Sequence, residues 1–117
     1  MAINLEDRLE EAKKSMSEDY LFPLQFFRED ILDVSRAKFS DWLNRVGGKC
    51  TAYLVMRYEE QQLIPDWRNR VAIQRLWLLA VKIMREKKDR ERQKLLNLCV
   101  PPGLTDMADP NQKPVVR

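Results

Sequence analysis

The residues best suited to recognition chemistry in this sequence are basic and aromatic side chains that share one stretch of the chain. Residues 85–94 contain no apolar residue, and further arginines precede them. Rows of cationic side chains bind phosphates, and tryptophan and arginine are enriched at protein-binding hot spots. The sequence therefore predicts partner binding through Trp67, Arg68, Arg70, Arg75, Lys87, Lys88, Arg90 and Arg92.

The basic stretch also has a simpler interpretation. Glu86, Asp89 and Glu91 interrupt it, which weakens its positive field. Mixed-sign runs are typical of solvated helix faces that carry internal ion pairs. A solvated face, a nucleic-acid site and a surface for an acidic protein therefore all remain open for this stretch.

Catalytic and metal-binding chemistry finds little support in the sequence. There is no histidine, which removes the commonest general base and the commonest metal ligand. Cys50 and Cys99 stand far apart and form no ligand motif. The acidic pairs are adjacent in sequence, so helical neighbours would point about 100° apart and face solvent. These pairs are Glu10-Glu11, Glu18-Asp19, Glu29-Asp30 and Glu59-Glu60. We predict no catalytic, cofactor or metal site.

Charge is distributed unevenly along the chain, although the net charge is only +3. Acids are in excess over residues 1–35 and bases over residues 66–94. Such polarity can serve internal docking, pairing within a homodimer or attraction of an acidic partner. A homodimer is therefore a possible state, beside a protein partner and a nucleic acid.

Apolar spacing predicts helices through most of the chain. Asn4 is positioned to cap a first helix, Pro23 to begin a second, and Asp33 or Ser35 to cap a segment ending at Gly47. Residues 50–58 suit a buried strand or a buried helix. We favour a helix because Thr51 is a suitable cap and no second strand is evident.

The longest predicted helix has Asp66 as its cap and reaches from Trp67 to about Leu98. Ala72, Leu76, Leu79 and Ile83 form its inner stripe by helical spacing. A continuous helix of this length would reach about 48 Å, so it either breaks near Lys87-Lys88 or projects from the domain.

Residues 34–44 have small polar and basic side chains ahead of apolar ones. This segment resembles the recognition helix of helix-turn-helix proteins, and that resemblance implies DNA binding. The preceding segment departs from the motif, because Arg28 and Glu29 stand where it has buried leucine and alanine. The same spacing favours a core helix, whose inward residues are Phe39, Trp42, Leu43 and Val46.

Together these patterns predict an all-α protein: a compact bundle of four or five helices in one domain over residues 1–100. A long basic C-terminal helix and a flexible tail, residues 101–117, complete it. Isolated cysteines and the lack of a signal peptide or an apolar span predict a cytoplasmic protein without membrane contact. The expected function is non-enzymatic: a small protein-binding or adaptor protein. The alternative is nucleic-acid binding by the basic 68–94 helix.

Overall fold

The structure is a computed structural model that describes residues 4–16 and 19–103. Most of the predicted C-terminal tail, from Leu104 onward, lies outside the described residues. Its first residues are described: Pro101 is buried and a turn follows it. Within the described residues, no helix combines the length and the apolar character needed to cross a bilayer.

The fold is all-α, as predicted, with six α-helices and no β-strand in the described part of the chain. In chain order these are α1 (Leu5–Lys14), α2 (Leu24–Phe26), α3 (Arg36–Arg45), α4 (Ala52–Glu59), α5 (Trp67–Glu86) and α6 (Arg90–Leu98). A π-helical segment, Phe27–Leu32, continues α2 without a break. The helix count exceeds the expected four or five partly because the basic C-terminal helix is divided in two.

Capping side chains set where the helices begin. Asn4, Ser35, Thr51 and Asp66 each accept a hydrogen bond from a backbone N–H two or three residues onward. These bonds satisfy donors that the first helical turn leaves unpaired. The predicted caps are confirmed, and residues 52–59 are helical rather than extended. Asp33 has another role: it ends the π-helical segment in a left-handed conformation with φ 55°.

The division between α5 and α6 is a Schellman turn built without glycine. Lys88 adopts a left-handed conformation with φ 57°. The Lys88 N–H donates to the Arg85 carbonyl, and the Asp89 N–H donates to the Met84 carbonyl. This pair of bonds terminates a helix. Asp89 then caps α6 by accepting a bond from the Arg92 N–H, so α6 begins as a separate helix.

Helix α5 is the centre of the core and packs against both α3 and α6. Its buried residues include Ala72, Ile73, Leu76, Trp77, Ala80 and Met84. The loop after α3 approaches it closely at Gly48. A side-chain carbon there would lie 2.8 Å from the Leu43 carbonyl oxygen and 2.9 Å from the Ala72 Cβ. Only glycine permits this approach.

The carboxylate of Glu59 is a buried charge, with 1% of its side chain exposed. It accepts hydrogen bonds from Arg28 Nε at 2.5 Å and from Arg36 Nε at 3.0 Å. Arg28 also donates to the Val34 carbonyl at 2.9 Å. The expectation of a solvated Glu59-Glu60 pair is therefore wrong for Glu59, because bases distant in sequence surround it.

We expect Glu59→Ala to lower the free energy of unfolding by about 3–5 kcal/mol, because it leaves the buried Arg28 guanidinium without its main counter-charge. Urea denaturation followed by circular dichroism measures this loss. Glu60→Ala is the matched control: its side chain is exposed, so a change within about 0.5 kcal/mol is expected. Equal losses in the two variants would show that the buried pair does not stabilise the fold.

Candidate binding surfaces

The eight side chains predicted to bind a partner do not form one continuous surface. Arg68 Nε donates to the Gly47 carbonyl and Arg75 Nη1 to the Val46 carbonyl, both at 2.9 Å. These carbonyls lie at the carboxyl end of α3, where helices leave oxygens unpaired and the dipole favours cations. Arg68 and Arg75 therefore hold the end of α3 against α5.

Arg70 and Arg92 are likewise engaged within the chain. Arg70 Nε donates to the Pro65 carbonyl at 2.8 Å, and its guanidinium lies 5.3 Å from the centroid of the Tyr20 ring. Arg92 pairs with Asp89 at 2.8 Å and donates to the Asp30 carbonyl at 3.1 Å. The second bond ties α6 to the π-helical segment.

A free positive surface remains where α5 meets α6. We call Arg85, Lys87, Lys88 and Arg90 the basic corner. All four side chains are exposed, and none forms a hydrogen bond or an ion pair with another described residue. Of the eight predicted binding residues, the corner includes Lys87, Lys88 and Arg90. Trp67 stands apart at the start of α5, with 38% of the residue exposed.

A groove between α3 and α5, which we call the apolar groove, was missed by sequence reasoning. It has a volume of about 210 Å³, and no polar atom of its lining is exposed within it. One wall consists of Leu32, Trp42, Arg45 and Val46, and the other of Leu76, Leu79, Ala80 and Ile83.

The predicted inner stripe of α5 explains how this groove arises. Ala72 and Leu76 are buried as expected, whereas Leu79 is 43% exposed and Ile83 is 38% exposed. The short α3 covers only the first part of the stripe. In α3 itself, Phe39 and Leu43 are buried, while Trp42 and Val46 are half-buried at the groove. A stripe longer than its covering helix leaves apolar surface open to a partner.

A second, more polar cleft of about 280 Å³ lies between α1, α2 and the loop that precedes α5. Three of its four carboxylates are in ion pairs: Asp30 with Arg8 at 2.6 Å, and Glu29 and Glu59 with Arg28. The fourth, Glu11, is exposed and forms no ion pair with a described residue. Tyr20 also lines the cleft, and burial raises the pKa of its hydroxyl. No group of three metal-ligating side chains converges anywhere in the described ranges.

Both cysteines are unpaired and buried. Burial raises the pKa of Cys50 to about 11 and that of Cys99 to about 12. The thiolate is the nucleophilic form, so these groups stay protonated and unreactive near neutral pH.

In the native protein we expect both thiols to resist modification by a disulfide reagent such as DTNB at pH 8. A raised pKa leaves about one thiol in a thousand ionised or fewer, and burial excludes the reagent as well. The absorbance of the released thiolate measures the rate. Unfolding in urea is the control and should expose both thiols to rapid reaction. Rapid labelling of either cysteine before unfolding would contradict this assignment.

Comparison with protein-family models, with curated proteins and with solved structures finds no match to this chain. Two surfaces of the described part of the chain are suited to bind a partner. The apolar groove can bind an apolar surface of a partner. The basic corner has cationic side chains without ion pairs and can bind an anionic surface.

Proposed function

We propose that the protein is a non-enzymatic helical binding module, an adaptor that holds an amphipathic helix of a protein partner in the apolar groove. The observation that carries this proposal is the groove itself: it presents only carbon, and large apolar side chains stand exposed along it. A cluster of exposed apolar side chains between two helices is more often a binding surface than a surface that only contacts water.

The shape of the groove favours a helix as its occupant. Leu76 and Ile83 are seven residues apart on α5, which corresponds to about 10 Å along the helix. That distance matches the spacing between apolar anchors at i, i+4 and i+7 of a bound helix. Trp42 and Arg45 on the opposite wall belong to the residue types that dominate binding hot spots.

The state of the reactive groups supports a role without catalysis. Three of the four cleft carboxylates, Glu29, Asp30 and Glu59, are in ion pairs, and both thiols are buried with raised pKa values. Buried, reduced cysteines also suit a reducing compartment, and we place the protein in the cytoplasm on that ground.

Nucleic-acid binding is the second candidate, and the basic corner is the observation that favours it. None of its four side chains forms a hydrogen bond or an ion pair with a described residue, although the Asp89 carboxylate attracts Lys87, so these cations can bind phosphates. The rest of the predicted 68–94 stripe supports this function less, because Arg68, Arg70, Arg75 and Arg92 already bind groups within the chain.

The groove proposal predicts that Leu79→Asp weakens binding of a synthetic amphipathic helix whose polar face carries only glutamine and serine. The change places a charge in the groove and removes an apolar contact worth about 1.5–3 kcal/mol, so affinity should fall by about tenfold to a hundredfold. An NMR titration of the ¹⁵N-labelled protein measures affinity and places the contact, with shifts expected in α3 and α5.

Leu78→Asp is the matched control for this titration. Leu78 and Leu79 are neighbours on α5 with equal exposure, 43%, and only Leu79 lines the groove. Leu78→Asp should leave peptide affinity nearly unchanged. Equal losses in the two variants, or no binding by the unaltered protein, would refute the groove as a docking site.

The nucleic-acid candidate predicts salt-sensitive binding of labelled duplex DNA that the triple variant Lys87→Gln, Lys88→Gln, Arg90→Gln weakens. Each phosphate contact contributes about −0.9 to the slope of log affinity against log salt concentration, so the slope should shrink by about 3. Fluorescence anisotropy measures both quantities. Arg92 stays unchanged because it holds α6 in place. Binding that is unaffected in the triple variant would exclude the corner as the phosphate-binding surface.

A further inference from the structure

We propose that the helix bound in the apolar groove is acidic at one end, with carboxylates that lie against the basic corner. This inference rests on the proposed function and adds the chemistry of the partner and its direction of charge. The groove and the corner then form one continuous surface with an apolar part and a cationic part.

Helical geometry places the corner in line with the groove. Leu76, Ala80 and Ile83 line the groove, and Lys87 follows them at the spacing of the next turn. Residues spaced by four, three and four lie on one face of a helix. The Lys87 N–H donates to the Ile83 carbonyl at 2.9 Å, so the helical spacing is retained up to Lys87.

The cations at this end of the groove are free to bind. The Schellman bonds fix the backbone at Lys88 and Asp89, so Lys87 and Lys88 are presented by an ordered turn. Glu86, Asp89 and Glu91 are the acids of the same stretch, and the four bases of the corner outnumber them. Asp89 is already paired with Arg92. At the other end, Arg45 already pairs with Asp41 at 3.1 Å, so its charge is partly neutralised. The cations without a bond inside the chain therefore lie at the α5–α6 end, whereas Arg68 and Arg75 at the other end of α5 already donate to carbonyls of the chain.

A second copy of this chain fits the surface less well than an acidic helix. If two α5 helices packed antiparallel, the corner of each copy would lie beside the half of α5 that carries Arg68 and Arg75. If the two helices packed parallel, the basic corners of the two copies would lie beside each other. Both arrangements bring like charges together, which opposes association.

The dimensions define the partner segment. Its apolar anchors cover about 10 Å, from Leu76 to Ile83, and its carboxylates stand about one turn, 6 Å, further along. We expect two or more carboxylates, because Lys87 and Lys88 are adjacent and both are exposed.

Two synthetic helices with the same apolar stripe test this inference, one with glutamates and the other with glutamines at the end that meets the corner. By fluorescence anisotropy at low salt, the glutamate peptide should bind about fivefold to tenfold more tightly, and the difference should shrink as salt rises. Lys87→Gln with Lys88→Gln should abolish the difference and leave the affinity of the glutamine peptide unchanged. Lys14→Gln with Lys49→Gln, a control pair of exposed lysines outside the groove, should preserve the difference.

The remaining outcomes separate the two proposals. Equal binding of both peptides would overturn the acidic partner and retain the groove as a docking site, whereas binding of neither would overturn the proposed function as well. Sedimentation that shows a dimer unable to bind either peptide would identify a second copy as the occupant. If the lysine pair variant lost affinity for duplex DNA while the peptides still differed, the corner would belong to nucleic acid and the inference would fail.

Discussion

The buried carboxylate of Glu59 is the constraint on which the arrangement of the helices depends. It lies at the end of α4 and meets Arg28 of the π-helical segment and Arg36 at the start of α3. A buried charge without its partners is strongly destabilising, so these three elements are held in one relative position. Arg28 adds a bond to the Val34 carbonyl and thereby fixes the loop that leads into α3.

The opposite end of α3 is held by hydrogen bonds from α5. Together with the Glu59 ion pairs, these bonds fix one wall of the apolar groove. Arg68 and Arg75 of α5 donate to the carbonyls of Gly47 and Val46 directly after α3, while Gly48 lets the following loop lie directly on α5. A wall anchored at both ends loses little conformational entropy when a partner binds, and such preorganisation favours affinity.

The features that the sequence predicted correctly are those determined by residues close together in the chain. The caps at Asn4, Thr51 and Asp66 depend on side chains within three residues and were found, as was the all-α class. Lys88 ends α5 where glycine is the usual signal, so the break was only one of two alternatives. The ion pair of Glu59 with Arg28 spans 31 residues, which no local pattern reveals. The groove was missed because periodicity shows which residues of α5 share a face. It does not show how much of that face α3 covers.

The same limit applies to charge and bears on function. Along the sequence, residues 66–94 form one basic stretch, which favours a broad anionic partner such as a nucleic acid. In the fold, Arg68 and Arg75 serve the end of α3, Arg70 lies over Tyr20, and Arg92 ties α6 to the π-helical segment. These arginines stabilise contacts within the fold. Of the other described bases between residues 66 and 94, Lys82 and the four residues of the basic corner form no ion pair, and the corner lies beside the apolar groove. A broad phosphate backbone gains little from so compact a cluster, whereas a short helix with carboxylates at one end meets both parts of the surface.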